Sequence, residues 1–93
     1  MIESFACAET ESIFGGRRSR RLPPAIQQAA RRKLVYLNEA TELDDLRSPP
    51  GNRLEALKGN RRGQFSIRIN QQWRVCFRWK NGSAHDVEIV DYH

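Results

Sequence analysis

Along the second half of the chain, Phe65, Ile67 and Ile69 alternate with Ser66, Arg68 and Asn70, and Trp73, Val75, Phe77 and Trp79 alternate with Arg74, Cys76 and Arg78. A period of two predicts strands with one face in a core and the other in water. Register follows, because a slip of one residue moves every apolar side chain to the wrong face. A three-residue loop at Asn70-Gln71-Gln72 pairs Ile69 with Trp73, Ile67 with Val75 and Phe65 with Phe77, whereas a two-residue turn mismatches all three. At Asn81-Gly82-Ser83 the same test pairs Phe77 with Val87 and Val75 with Ile89 and sets Arg78 opposite Asp86, with Asn-Gly supplying the left-handed conformations of a tight hairpin. Phe65 to His93 therefore reads as a three-stranded antiparallel meander.

The first half has helical periodicity. Pro23-Pro24 suits a first helical turn, and Ile26, Ala29, Ala30, Leu34 and Leu37 then form one apolar stripe of a helix reaching about Asn38. Ala8 to Phe14 reads as a short helix with Glu9 and Glu11 near its positive end. Ile2 to Ala6 is expected to add a strand to the sheet. Thr41 to Leu46 reads as a short helix capped by Thr41, and Arg53 to Lys58 as a bent strand or strand plus turn. Gly15 to Arg21, rich in arginine and without apolar residues to dock it, reads as a mobile basic loop. These elements predict one α+β domain over residues 1–93, its N-terminal strand and amphipathic helices packed on one face of a mainly antiparallel sheet and the other face open.

Charge narrows the choice of partner. Sixteen Lys and Arg against eleven Asp and Glu leave +5, and most of the cations are arginines, which form forked bonds to phosphate as lysine does not. Nucleic acid is the leading class. Cys7 and Cys76 are too few and too far apart for a zinc site or a disulfide framework, and no segment reads as a signal peptide or membrane span, so a cytoplasmic protein with reduced thiols is expected.

The predicted register sets Arg68 opposite Arg74 on the wet face, where like charges cost roughly 0.2–1 kcal/mol. Either both guanidiniums splay into water, or they seat a polyanion. RNA cleavage by its own 2′-hydroxyl needs a base, an acid and cations for the developing charge, without a metal. Lys58 and Arg74, with Arg68 in support, are candidates to hold the phosphate. His93 is a candidate to move a proton near neutral pH, Tyr92 to orient or stack a base, and Asp91 to orient His93 or help accept a proton. Arg53 and Arg78 extend the cationic face. Against this stand plainer readings, with His93 as a frayed end and Tyr92 as packing.

Several segments together resemble one family. Ala40-Thr41-Glu42-Leu43-Asp44-Asp45-Leu46-Arg47-Ser48-Pro49-Pro50-Gly51-Asn52-Arg53-Leu54, the continuation through Lys58-Gly59-Asn60, Gln64 to Arg68, Gln72-Trp73-Arg74-Val75 and the ending Val87 to His93 are similar to the HigB branch of the RelE toxin superfamily, particularly its GraT type. The resemblance implies a small RelE-like fold and a bacterial type II toxin that enters the ribosomal A site and cleaves mRNA there. It also implies a HigA-type antitoxin with a helix-turn-helix domain, through which the pair represses its operator DNA. The family's functional positions fall on Lys58, Arg74, Asp91, Tyr92 and His93, while Glu55 stands where some HigB toxins carry histidine and is a candidate base beside Lys58. No cofactor is implied. Two other readings stay open: a ParE-like gyrase poison on the same fold, and a non-catalytic RNA-binding module using the same basic face.

Overall fold

The computed structural model describes residues 1–91, so the expectations for Tyr92 and His93 lie outside the described residues. Helix α1 spans Ala8–Phe14 and α2 spans Pro24–Glu39; strands β1 (Glu55–Ala56), β2 (Phe65–Arg68), β3 (Trp73–Lys80) and β4 (Ser83–Asp91) follow. They form one antiparallel sheet in the order β1-β2-β3-β4. Both helices pack against the sheet, α2 on β3 and β4 and α1 on β4. Ile26, Ala30, Leu34 and Leu37 of α2 meet Ile67, Val75, Phe77, Val87 and Ile89 of the sheet in a single core cluster. Burying each such side chain contributes roughly 1.5–3 kcal/mol, so the stripe and the alternation hold the fold.

The first hairpin has the predicted register, with Phe65 opposite Phe77, Ile67 opposite Val75 and Arg68 opposite Arg74. The second is corrected. Its turn has two residues, since Lys80 pairs with Ser83, and Arg78 pairs with His85 rather than Asp86. A bulge between Cys76 and Arg78 then absorbs one residue and restores Val75 to Ile89. Asp86 adopts φ +53° there, a left-handed conformation that aspartate tolerates better than most side chains. The turn and the bulge each contribute a one-residue offset, so both halves of β4 keep their apolar side chains inward. The Arg78–Asp86 ion pair forms all the same, at 3.6 Å.

The N-terminal segment joins the sheet along β4, as expected, but through two parallel bridges rather than a continuous strand, Ile2 to Ala84 and Phe5 to Val87. Ala84 N–H donates to the Met1 carbonyl and Val87 N–H to that of Ser4. Farther along β4, Ile89 N–H donates to the buried Thr10 hydroxyl of α1 at 3.0 Å. Residues 1–10 thereby satisfy the outer edge of β4.

Two further expectations change. Thr41 is not the cap of the following helical turn, a 3-10 helix at Leu43–Arg47. The Asp45 carboxylate instead accepts from the backbone N–H groups of Glu42 and Thr41 and from the Thr41 hydroxyl, and these bonds hold its pKa below the ordinary carboxylate value. The basic loop is docked. Ser19 is buried, its hydroxyl donates to Glu9 and accepts from the Arg21 and Leu22 N–H groups, and the Gln27 amide bonds its backbone on both sides. Polar anchoring replaces the apolar anchor that the composition lacks.

Candidate active site

The face of the sheet turned away from the helices carries Ser66, Arg68, Arg74, Cys76, Glu88 and Val90, following the strand alternation. It is less open than expected. Ser66 and Cys76 are fully buried, and the Arg74 side chain is only 12 % exposed. The segment after α2 folds over this face, because Arg61 reaches Glu88 at 2.9 Å and the Arg53 carbonyl reaches Arg74.

Arg74 is the centre of the arrangement. Its Nε donates to Ser66 Oγ at 2.7 Å and its Nη2 to the Arg53 carbonyl at 2.7 Å. The Glu55 carboxylate, on a side chain 52 % exposed, lies 3.9 Å from Nη2. Arg53 presents its carbonyl from a left-handed conformation, φ +45°, and that turn rests on its neighbour Asn52. The buried Asn52 side chain donates to the carbonyls of Leu46 and Ser48 and accepts from Lys33 of α2. Desolvation first, then Arg32 and Arg68, lower the Lys33 pKa. A chain of polar contacts thus runs from α2 through Asn52 and Arg53 to the Arg74 guanidinium.

The other candidates divide. Glu55 and Arg53 join Arg74 directly. Arg68 stands opposite it in register, but its Nε donates to the Asn70 carbonyl at 3.0 Å, so the two guanidiniums diverge. Lys58 is exposed, immediately before the 3-10 turn at Gly59–Arg61. Arg78 is four residues along β3 from Arg74, about 13 Å at strand spacing, and is occupied by Asp86. Asp91 pairs with Trp73 and so belongs to the opposite face, where its carboxylate accepts from Gln72 at 3.1 Å. Tyr92 and His93 are beyond the described residues.

Sequence reasoning missed Ser66, the Arg53 carbonyl and the Arg61–Glu88 pair. Ser66 left a signal, being a polar residue on the same face as Arg74 one register step away. Beneath these ion pairs Cys76 is shielded, and burial pushes its thiol pKa up.

A family profile described as the RelE-like toxin of type II toxin-antitoxin system HigB matches residues 4–93. The chain belongs to this family. Toxin HigB-1 of Vibrio cholerae is 48% identical over 68 residues, which span 73% of this chain and 72% of that relative. A protein named Endoribonuclease HigB from Proteus vulgaris is 30% identical over 93 residues, the full length of both. An uncharacterized protein of Haemophilus influenzae is 31% identical over 69 residues, covering 74% of this chain and 68% of its own. As a HigB-like toxin of a type II system, the chain pairs with an antitoxin. Among the described residues no helix is long and apolar enough to cross a membrane.

Proposed function

We propose that this HigB-like toxin is a cytoplasmic, ribosome-dependent endoribonuclease that cuts mRNA in the A site and so halts translation. Residues 1–93 act as one domain. The observation that carries the reading is Arg74, a guanidinium fixed by Ser66 and the Arg53 carbonyl beside a solvent-facing carboxylate. The name of the Proteus vulgaris relative supports the reaction type.

In the reaction, the 2′-oxygen of the message attacks the adjacent phosphorus, the 5′-oxygen leaves, and a 2′,3′-cyclic phosphate forms. A base takes the 2′ proton and an acid returns one to the leaving oxygen. Arg74, with Lys58 and Arg68, stabilises the charge that builds on the phosphoryl oxygens; fixed donors of this kind contribute roughly 10²–10³ in rate. Glu55 is the base nearest to Arg74, and His93 with Tyr92 completes the proton transfer, with Asp91 supporting that end of β4. Arg53 and Arg78 meet the RNA backbone. The partner that silences this chemistry is a HigA-type antitoxin, whose helix-turn-helix domain carries the pair to operator DNA.

The test incubates purified protein with programmed bacterial ribosomes, and with the same mRNA free, and maps new 5′ ends by primer extension. Cuts confined to ribosome-bound message, and absent with Arg74→Ala, are expected. No cut on either substrate, or equal cutting by Arg74→Ala, overturns the reading.

A further inference from the structure

Between α2 and β1 the chain makes only short 3-10 turns, at Leu43–Arg47 and Pro50–Asn52. A stretch of this kind has no ladder to satisfy its backbone groups, so side chains must do it. Asn52 does so from a fully buried position. Its Nδ2 donates to the Leu46 carbonyl at 3.1 Å and to the Ser48 carbonyl at 3.3 Å, closing the end of the first turn. Its Oδ1 accepts from Lys33 Nζ of α2. An ammonium only donates, so Lys33 decides which end of the amide faces α2 and leaves both amide hydrogens for the two carbonyls. Lys33 is held in turn over the Tyr36 ring, 5.5 Å from its centroid, within cation–π range.

This anchor bears on the next residue. Arg53 has φ +45° and ψ +57°, a left-handed conformation that disfavours a side chain with a Cβ. Only in that conformation does its carbonyl meet Arg74 Nη2 at 2.7 Å. An Arg53 relaxed to extended backbone swings the carbonyl away and leaves Ser66, on Nε, as the fixed partner. One bond lets the guanidinium plane turn about it; two bonds set the plane. Glu55 does not replace the carbonyl, since 3.9 Å is beyond hydrogen-bond distance and its side chain is half exposed. A donor that stabilises developing charge works by standing in place before the charge appears.

We infer that Asn52, which is buried away from any substrate, is a positioning residue for the Arg74 guanidinium, acting through the Arg53 turn, with Lys33 fixing the Asn52 amide. Its effect on rate rests on the nuclease reading above. The restraint on Arg74 does not.

Nitrogen NMR of the full chain labelled with 15N-arginine tests the restraint, with the Arg74 signals assigned by their loss in Arg74→Lys. In the wild type the Arg74 Nη resonances are expected to be separate, because rotation about the Cζ–Nε bond is hindered. Asn52→Ala is expected to merge them. Asn52→Asp keeps an acceptor for Lys33 but turns both donors into acceptors facing carbonyls, and is expected to merge them too. Glycine enters the left-handed region without penalty, so Asn52→Ala/Arg53→Gly is expected to recover part of the separation. Ile13→Val, a core change in α1, is expected to leave the resonances as they are. In cleavage on programmed ribosomes, Asn52→Ala is expected to lower kcat at least about tenfold with KM unchanged, and Ile13→Val to alter neither. Thermal melts check that each variant folds; if Asn52→Ala does not, Lys33→Met, which keeps Asn52 but removes its donor, takes its place with the same expected direction. Merged Nη resonances in the wild type, resonances unmoved by Asn52→Ala, no recovery with Arg53→Gly, or a raised KM at unchanged kcat overturns the assignment. Absence of cutting by the wild type, with the resonances behaving as expected, overturns the nuclease reading and leaves Asn52 as the residue that fixes Arg74.

Discussion

At the scale of single residues, Arg74 shows how placement and stability are joined. The sequence alone sets it opposite Arg68, and relief of that repulsion argues that Arg74→Ala should leave stability unchanged or raise it slightly. The structure reverses the sign: Ser66 is fully buried and Arg74 is the donor to its hydroxyl. Arg74→Ala is expected to lower stability by about 1–3 kcal/mol, with a fall of about 4–8 °C in Tm per kcal/mol. Ser66→Ala should reduce cleavage on ribosomes by loosening the guanidinium, and should lower the melting temperature less in an Arg74→Ala background than in the wild type. Additive losses in that double-mutant cycle would show that Ser66 does not act through Arg74. Cys76 gives a pH prediction. Its folded pKa is raised by burial, so the folded state holds the thiol proton more tightly and the associated stability is complete below about pH 9 and is lost as pH rises through the folded value. Thermal melts from pH 8 to 11 should decline less for Cys76→Ala, and Cys76 should resist thiol reagents until the protein unfolds. Alternation made Arg74 and its face legible. The carbonyl that fixes it was not, because it depends on a left-handed turn at Arg53 held by Asn52, whose partners are spread from Lys33 to Ser48.

At the scale of elements, β4 depends on two offsets that cancel. Deleting Asp86 removes one of them and turns either Val87 and Ile89 or Ala84 and its neighbours away from the core. Two large side chains lost at roughly 1.5–3 kcal/mol each approach the whole stability of a small domain, about 5–15 kcal/mol. The deletion variant is therefore expected to show no cooperative melting transition by circular dichroism. The alternation placed both strands correctly, yet the bulge was hidden in it, since Asn-Gly fits loops of two or three residues and only the Asp86 conformation decides. The loop at 15–21 fails for a different reason. Composition identifies apolar anchors well and polar ones poorly, and here one serine and one glutamine do the anchoring. Ser19→Ala should expose the arginines to trypsin, with cleavage at 17–21 appearing well before global unfolding; the wild type should resist.

At the scale of the whole molecule, the docked arginine loop on the helical side and the Arg74 face lie on opposite sides of one sheet, which gives the net charge of +5 a geometry. Among the described residues the core cluster draws its members from Ile13 to Ile89. Removing residues 92–93 should therefore abolish cleavage while leaving a cooperative melt and most salt-dependent RNA binding; retained cutting would take catalysis away from Tyr92 and His93. The overall architecture was legible because periodicity survives without knowledge of tertiary contacts. That Ile2 to Ala6 joins the sheet was legible as well; which strand it meets was not, because the bonds run between backbone groups and to the hydroxyls of Ser4 and Thr10. That closure has a consequence in time. Ser4 bonds Asp86 and Thr10 bonds Ile89, so residues 4 and 10 wait for the synthesis of residues 86 and 89 before they find these partners. Such long-range closure is slow and late. On the nuclease reading, the ribosome that makes this toxin has finished β4 before its product is able to cut.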